Sequence, residues 1–271
     1  MSLIPVLPTA LPARPAAAPP CVQRRAEACV ELMLGAGSTL LPMTGRTDRP
    51  QPLQPRQRLL QRGDALFRSG DRQRALFITR RGSLKTTALS AEGEERVLGF
   101  HLPGELLGLD ALGSGLHRCE AVALQDTEVC EFGFGQLESS SRDLPQLHRQ
   151  LLTRMGRSVA LDQDHMAMLA RPQAIERVAQ FVLGLARRLG CQALRGGAIE
   201  LPMGRGDIAA YLGLVIETVS RAMRRLHEER VLSVRVRRLR ILDLERLRAL
   251  AHESEAPVST CIGACGRAAE A

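Results

Sequence analysis

Hydrophobic residues recur at three- and four-residue steps in two short segments of the C-terminal third, and a single glycine separates the segments. This spacing places apolar side chains on one face of a helix. The apolar stripe consists of Ile208, Ala209 and Leu212 in the first segment and of Val219, Met223 and Leu226 in the second. Gly213 lies between them, and glycine readily adopts the positive φ that ends a helix. The pattern therefore predicts a helix, a tight turn and a second helix.

The second helix carries a polar face opposite its apolar stripe. Glu217, Ser220 and Arg221 stand at positions i, i+3 and i+4, so their side chains point the same way. Arginine pairs with guanine O6 and N7, glutamate accepts from cytosine N4, and serine serves either role. We interpret this helix as one that enters the DNA major groove, with Ile216 offering an apolar surface to a thymine methyl. An amphipathic hairpin with a solvated polar face is the alternative.

A longer helical pattern runs from Pro145 to about Ala170, with no internal proline and one glycine, Gly156. Residues at alternating three- and four-residue steps are typical of a coiled-coil seam. The predicted seam consists of Leu152, Met155, Val159, Asp162, Met166 and Leu169. The pattern favours a dimer interface, and a helix packed on its own domain is the alternative.

Asp162 is a carboxylate on this apolar stripe. In a two-fold dimer it would approach its own copy, and two like charges at low dielectric are costly unless screened or protonated. We expect Asp162 to oppose dimerisation. A solvated position off the seam is the alternative.

Short β-type runs separated by glycine turns occupy the region from Leu53 to about Phe134. The predicted strands are residues 75–79, 84–89, 96–100 and 127–132. Several short strands at this spacing indicate a sandwich or barrel.

The charge of the chain favours a polyanionic partner. The 271 residues carry a formal net charge of +8. Between Glu200 and Leu250 there are eleven arginines and seven acidic residues, so the predicted DNA-binding end is basic. Charge alone does not separate nucleic acid from a membrane surface.

The apolar residues predict neither a membrane span nor a signal peptide, because no run approaches eighteen apolar residues and prolines interrupt the N-terminal stretch. We therefore expect a cytoplasmic protein. Its seven cysteines would be reduced thiols, metal ligands or redox sensors in that compartment. No paired His/Glu metal motif, P-loop or nucleophile elbow occurs, so the sequence does not indicate an enzyme.

Two motifs resemble the Crp/Fnr family of bacterial transcription regulators. Residues 206–221 are similar to the family's helix-turn-helix, and the order Ile216, Glu217, Ser220, Arg221 matches the Fnr branch. Residues 99–115 are similar to the Fnr sensor domain. The resemblance covers roughly residues 52–250. It implies a homodimer that reads a TTGAT-like inverted repeat in double-stranded DNA and contacts RNA polymerase, with the acidic Asp162 holding the inactive protein monomeric.

The resemblance also implies an α+β architecture. A flexible N-terminal segment, residues 1–52, would carry candidate cysteine ligands. The domains that follow would be a β-roll sensor domain of the cyclic-nucleotide-binding jelly-roll type at 53–143, a dimerisation helix at 144–171, a winged helix-turn-helix domain at 172–250 and a flexible tail at 251–271.

Fnr proteins hold an oxygen-labile [4Fe-4S] cluster with four cysteines, and this chain departs from that pattern. Cys130 falls at the fourth ligand position and Cys29 at the last of the three N-terminal positions. Cys21 is one residue too close to Cys29, and the middle position has no cysteine. A rescue of the site would recruit Cys119, and the C-x3-C pair Cys261 and Cys265 in the tail is the less favoured source. The candidate ligands are therefore Cys21, Cys29, Cys119 and Cys130. A structural Cys130 is one alternative, and thiol oxidation or haem is another.

Cyclic AMP is the other ligand of the family, and the sequence argues against it. Glu105 and Arg118 mimic the ribose and phosphate contacts superficially, but Leu109 falls where the ribose-binding acid belongs.

The sequence therefore predicts a dimeric, sequence-specific transcription regulator that responds to oxygen or redox state. The alternative is a cytoplasmic redox or ligand-sensing module, using thiol, haem or cyclic nucleotide, whose helical domain docks protein.

Overall fold

The computed structural model describes residues 29, 32–33, 55–90, 93–137 and 145–252. Cys21, most of the N-terminal segment, and the tail from residue 253 with Cys261 and Cys265 lie outside the described residues. Within the described ranges, no helix is both long enough and apolar enough to cross a membrane.

Two antiparallel sheets form the N-terminal domain. The first contains, in order, β1 (Arg56–Leu60), β8 (Thr127–Gly133), β3 (Ala75–Arg81) and β6 (Leu106–Leu107). The second contains, in order, β2 (Ala65–Phe67), β7 (Glu120–Ala123), β4 (Leu84–Leu89) and β5 (Glu95–His101). This is the predicted β-roll, and the four predicted strands lie within β3, β4, β5 and β8.

The strands of the first sheet divide their side chains between two cores, because neighbouring residues of a strand point to opposite faces. Phe77 points into the core between the two sheets, which we call the inner core. Leu76 and Ile78 point to the outer face of the sheet. On β8, Val129 is in the inner core and Cys130 is in the outer one.

A long helix covers the outer face of the first sheet. Helix α1 (Pro145–Leu169) contributes Leu147 directly and packs Leu151 and Met155 against the same cluster. We call this cluster the outer core, and its buried members are Cys29, Met33, Leu76, Ile78, Leu106, Cys130, Phe132, Leu137 and Leu147. Two of the cysteines that the sequence singles out, Cys29 and Cys130, therefore lie between the sensor sheet and the predicted dimerisation helix.

The C-terminal domain is a winged helix-turn-helix. Its elements are α2 (Ala174–Leu189), α3 (Cys191–Leu194), β9 (Ile199–Glu200), α4 (Arg205–Leu212), α5 (Ile216–Glu228), β10 (Leu232–Arg235), β11 (Arg238–Ile241) and α6 (Leu244–Leu250). Strands β10, β11 and β9 form a small antiparallel sheet.

The core of this domain continues into the sensor domain. Val97, Phe100, Leu102 and Leu124 belong to the same buried cluster as the helices of the C-terminal domain. The ring centroid of Phe100 lies 5.0 Å from that of Tyr211 in α4. The two domains are therefore packed together through apolar contacts as well as through α1.

Candidate DNA-binding and sensor sites

The helix-turn-helix has the geometry that the hydrophobic pattern predicts. Gly213 ends α4 with φ 61° and ψ 40°, in the left-handed region. The Asp207 carboxylate accepts from the backbone N–H of Gly204 at 2.9 Å and so caps the start of α4. The predicted apolar faces of both helices are buried: Ile208, Ala209, Leu212, Val219, Met223 and Leu226.

Helix α5 presents the predicted recognition residues to solvent. Ile216 is 49% exposed, and Glu217, Ser220 and Arg221 are exposed as well. The Arg221 guanidinium donates to the Thr218 hydroxyl at 3.3 Å, which holds it along the helix. The structure thus brings the four residues together on one accessible face.

The turn between β10 and β11 adds a second basic surface to this domain. Val236 at the tip is 92% exposed and has a φ of 43°. Arg235, Arg237 and Arg238 flank it and are exposed. Such a cationic hairpin suits the phosphate backbone of DNA, which supplies most of the sequence-independent attraction.

The predicted seam residues occupy one side of α1. Leu152, Val159 and Met166 recur every seven residues and are 55%, 54% and 62% exposed. Met155, Asp162 and Leu169 form the second heptad row. Met155 is only partly exposed, because it also packs on the outer core. An apolar stripe of this length, uncovered in the single chain, is what a partner helix requires.

Asp162 is exposed on that stripe. Partial desolvation raises the pKa of its carboxyl group above the ordinary value, and His165 opposes this shift. A closely approaching copy would raise the pKa further, because two adjacent carboxylates resist ionising together.

Two of the four candidate sensor cysteines meet in the outer core. Cys29 and Cys130 are joined by a disulfide with their Cα atoms 5.9 Å apart, although 101 residues separate them in sequence. Both are fully buried. The Gln57 side-chain amide donates to the Cys29 sulfur at 3.8 Å.

Cys119 is not brought to this pair, which corrects the expectation that it fills the vacant ligand position. It lies in the inner core, on the other side of the first sheet from Cys130. Burial, followed by the charge and hydrogen bond of Asp110, raises the pKa of the Cys119 thiol to about 12. A protonated thiol is a poor ligand and a poor nucleophile.

A four-thiolate cluster does not fit the residues that the structure describes. Only Cys29 and Cys130 come together, and the described ranges contain no group of three or more His, Cys, Asp or Glu side chains suited to a metal ion.

Glu105, the superficial mimic of a ribose contact, has another use. Its carboxylate accepts from the Arg188 guanidinium at 2.7 Å and from the backbone N–H of Leu102 at 2.9 Å. Arg188 belongs to α2, so this ion pair joins the sensor domain to the DNA-binding domain. Arg118 is exposed.

Sequence reasoning missed three basic residues that connect parts of the molecule. Lys85 and Arg188 link the two domains, and Arg154 links α1 to the segment carrying Cys29. Their partners are distant in the chain, so periodicity gave no signal. Composition alone singled out one of the three, because Lys85 is the only lysine of the sequence.

A β-roll with a buried disulfide, joined by a long apolar-faced helix to a winged helix-turn-helix, defines a transcription regulator with its own sensor domain. Residues 57–140 match the cyclic nucleotide-binding domain, and residues 176–250 match the Crp-like helix-turn-helix domain. The chain belongs to the Crp/Fnr family, as the sequence motifs predict.

The relatives indicate the Fnr branch. The chain is 41% identical over 196 residues to the transcriptional activator protein FnrA of Stutzerimonas stutzeri, covering 72% of this chain and 80% of that protein. It is 37% identical to the fumarate and nitrate reduction regulatory protein of Escherichia coli strain K12, covering 72% and 78%. The structure of FixK2 from Bradyrhizobium japonicum matches with a TM-score of 0.67 at 31% identity, covering 76% of this chain and all of that one.

Proposed function

We propose that the protein is a homodimeric regulator that reads a TTGAT-like inverted repeat with α5 and contacts RNA polymerase as an activator. The observation that carries the DNA-reading part is the accessible face formed by Ile216, Glu217, Ser220 and Arg221. Arg221 would read a guanine, and Ser220 would contact a neighbouring base. Glu217 would select against wrong bases at the position paired with that guanine. The name of the relative FnrA supports the activator role.

The dimer part of the proposal rests on α1. The two heptad rows of α1 would meet their copies across a two-fold axis. The first row contains Leu152, Val159 and Met166, and the second contains Met155, Asp162 and Leu169. The two recognition helices would then reach successive major grooves, which is why an inverted repeat is expected.

A selection of binding sites from random DNA tests this assignment. Arg221→Ala should lose about 1–3 kcal/mol of discrimination at one guanine of the half-site, while other positions keep their preference. Arg225→Ala is the matched control, because Arg225 is also exposed on α5 but its guanidinium pairs with Glu229 at 2.8 Å. Binding that is weak, independent of sequence and strongly salt-dependent would instead favour a module whose helical domain docks protein.

We further propose that the signal is the redox state of the Cys29–Cys130 pair. The supporting observations are that the two sulfurs are bonded in the outer core and that this core contacts the dimerisation helix. No step is assigned to an iron–sulfur cluster, because the described residues supply two thiolates where four are needed.

The chemistry is a two-electron exchange with a low-molecular-weight disulfide. One protein thiolate attacks that disulfide, forming a mixed disulfide and releasing one small thiol. The second protein thiolate then attacks the protein sulfur of the mixed disulfide, forming the Cys29–Cys130 bond and releasing the other small thiol. The two protons leave the protein thiols and are taken up by the released thiolates.

Purified protein should therefore bind its operator differently after treatment with dithiothreitol and with oxidised glutathione. Cys130→Ser should abolish the difference, and Cys119→Ser should retain it. Iron and sulfide are measured in the same anaerobic preparation. Roughly four irons per chain, together with absorbance in the visible region, would show that the sensor is a [4Fe-4S] cluster and would overturn the thiol-pair proposal.

A further inference from the structure

The side chain of Arg154 joins three separate backbone positions. From the middle of α1 it donates through Nε to the Met33 carbonyl at 3.2 Å, and through its two terminal nitrogens to the carbonyls of Leu32 and Gly104. Leu32 and Met33 follow Cys29 closely in the chain, and all three have helical backbone. Gly104 belongs to the sensor loop before β6.

The partners of Arg154 that the structure describes are neutral carbonyl oxygens. Burial lowers the pKa of the Arg154 guanidinium, followed by the charge of Arg157. A partly buried guanidinium that loses its acceptors is left as an uncompensated charge, which is costly. The segment with Cys29 therefore cannot move away from α1 without this cost, unless α1 moves with it.

The position of Arg154 on α1 connects this cost to the dimer. Its neighbour Met155 lies in the predicted seam and also packs on the outer core with Cys29 and Cys130. A shift of the Cys29 segment thus reaches the seam by two routes, the apolar packing of Met155 and the hydrogen bonds of Arg154.

We propose that Arg154 is a positioning residue that couples the Cys29–Cys130 pair to the dimerisation helix, an inference that rests on the redox role proposed above. While its carbonyl acceptors stay in place, Arg154 holds Leu32 and Met33 against α1 and fixes the position of α1. When the pair is reduced, the segment is held by noncovalent contacts, and Arg154 decides whether it stays docked.

The first test compares dimer dissociation constants by sedimentation after oxidation and after reduction. The parent should show a ratio within the range of about 5- to 150-fold that couplings between sites typically span. Arg154→Met should bring the ratio close to one, and Arg154→Lys should keep part of it. Arg157→Met is the control, because Arg157 lies one turn away on α1 and is exposed, and it should keep the parent ratio.

The second test needs no redox response. In reduced protein, the rate at which maleimide labels Cys29 is measured by peptide mass spectrometry. Arg154→Met should speed this labelling and change dimer affinity, whereas Arg157→Met should do neither. Thermal unfolding curves check that the variants are folded, and Arg154→Lys substitutes if Arg154→Met is not.

The outcomes separate the two proposals. One outcome is that the dimer dissociation constant of the parent is the same after oxidation and after reduction while Arg154→Met still changes Cys29 labelling and dimer affinity. In that case the redox role is wrong and the coupling through Arg154 stands. If Arg154→Met leaves both Cys29 labelling and dimer affinity at the parent values, the link is overturned whatever the parent does. A parent that responds to redox, together with an Arg154→Met variant that responds equally, overturns the link and leaves the redox role in place.

Discussion

The Lys85 ammonium group lies 2.9 Å from the Asp207 carboxylate, and this ion pair joins strand β4 of the sensor domain to helix α4 of the helix-turn-helix. Lys85 also contacts Glu95 at 2.7 Å. Burial disfavours the charged lysine, but the hydrogen bonds and charges of the two carboxylates outweigh it and raise the pKa of Lys85. Asp207 thus serves both as the cap of α4 and as the partner of the sensor domain.

Because the chain has a single lysine side chain, a zero-length carbodiimide reagent should form one characteristic interdomain amide, between Lys85 and Asp207. Mass spectrometry of the digest identifies it. Lys85→Arg, which keeps the charge but not the reactive amine, should remove the crosslink while leaving the domains docked. Recovery of Lys85 joined to Glu95 alone would mean that the two domains are not docked in solution as they are here.

Asp162→Ala should strengthen the dimer. Removing a carboxylate from an apolar seam abolishes the repulsion between copies, and each 1.4 kcal/mol recovered lowers the dimer dissociation constant about tenfold. Lower pH should strengthen the parent dimer more than the variant, because its raised pKa makes Asp162 easier to protonate. Asp164→Ala is the control, since Asp164 is exposed on α1 outside the seam. Equal dimer populations in the three proteins would remove Asp162 from the mechanism.

Ile216→Arg should shift the preferred half-site from TTGAT toward the TGTGA type that Crp-like proteins with arginine at this position favour. The reason is that an aliphatic side chain suits a thymine methyl, whereas arginine suits guanine O6 and N7. Ile216 is half exposed at the start of α5 and free to be replaced without loss of core packing. Recovery of one consensus from both proteins in a binding selection would defeat this assignment.

His101 should make the fold sensitive to mild acid. Its ring lies 3.1 Å from the Thr86 hydroxyl. Burial lowers the pKa of His101 to about 4, with Arg188 adding to the shift and Glu105 opposing it. The folded state therefore keeps His101 neutral, while the unfolded chain protonates it near its ordinary value of 6.5.

The contribution of His101 to stability is complete above pH 6.5 and falls as the pH drops toward 4, by at most about 1.4 kcal/mol per pH unit. His101→Gln keeps a hydrogen-bonding side chain and should flatten this dependence in urea titrations. Parallel curves for the two proteins across that pH range would show that the ring is accessible to protons in the folded state.

The sequence predicted most accurately the features that depend on residues close together in the chain, such as helix faces and turns. Val219, Met223 and Leu226 are buried because helical spacing alone places them on one face. Gly213 adopts its positive φ because the local turn requires it.

The separation of Cys119 from Cys130 could not be predicted in the same way. It depends on which sheet face each side chain points to, and on how the two sheets close over each other. The interdomain contacts of Lys85 and Arg188 are equally non-local, since each joins residues more than 80 positions apart. A pattern of hydrophobic spacing carries no information about such pairs.

The two faces of strand β8 contribute to different cores, since Val129 lies in the inner core and Cys130 lies in the outer one. A chemical change at the Cys130 sulfur therefore does not involve the side chains that pack in the inner core. If the redox role proposed above holds, the interior would act as a rigid frame while only the outer layer changes. The same separation would let substitutions change the chemistry of the signal without disturbing the frame that transmits it to the DNA-binding domain.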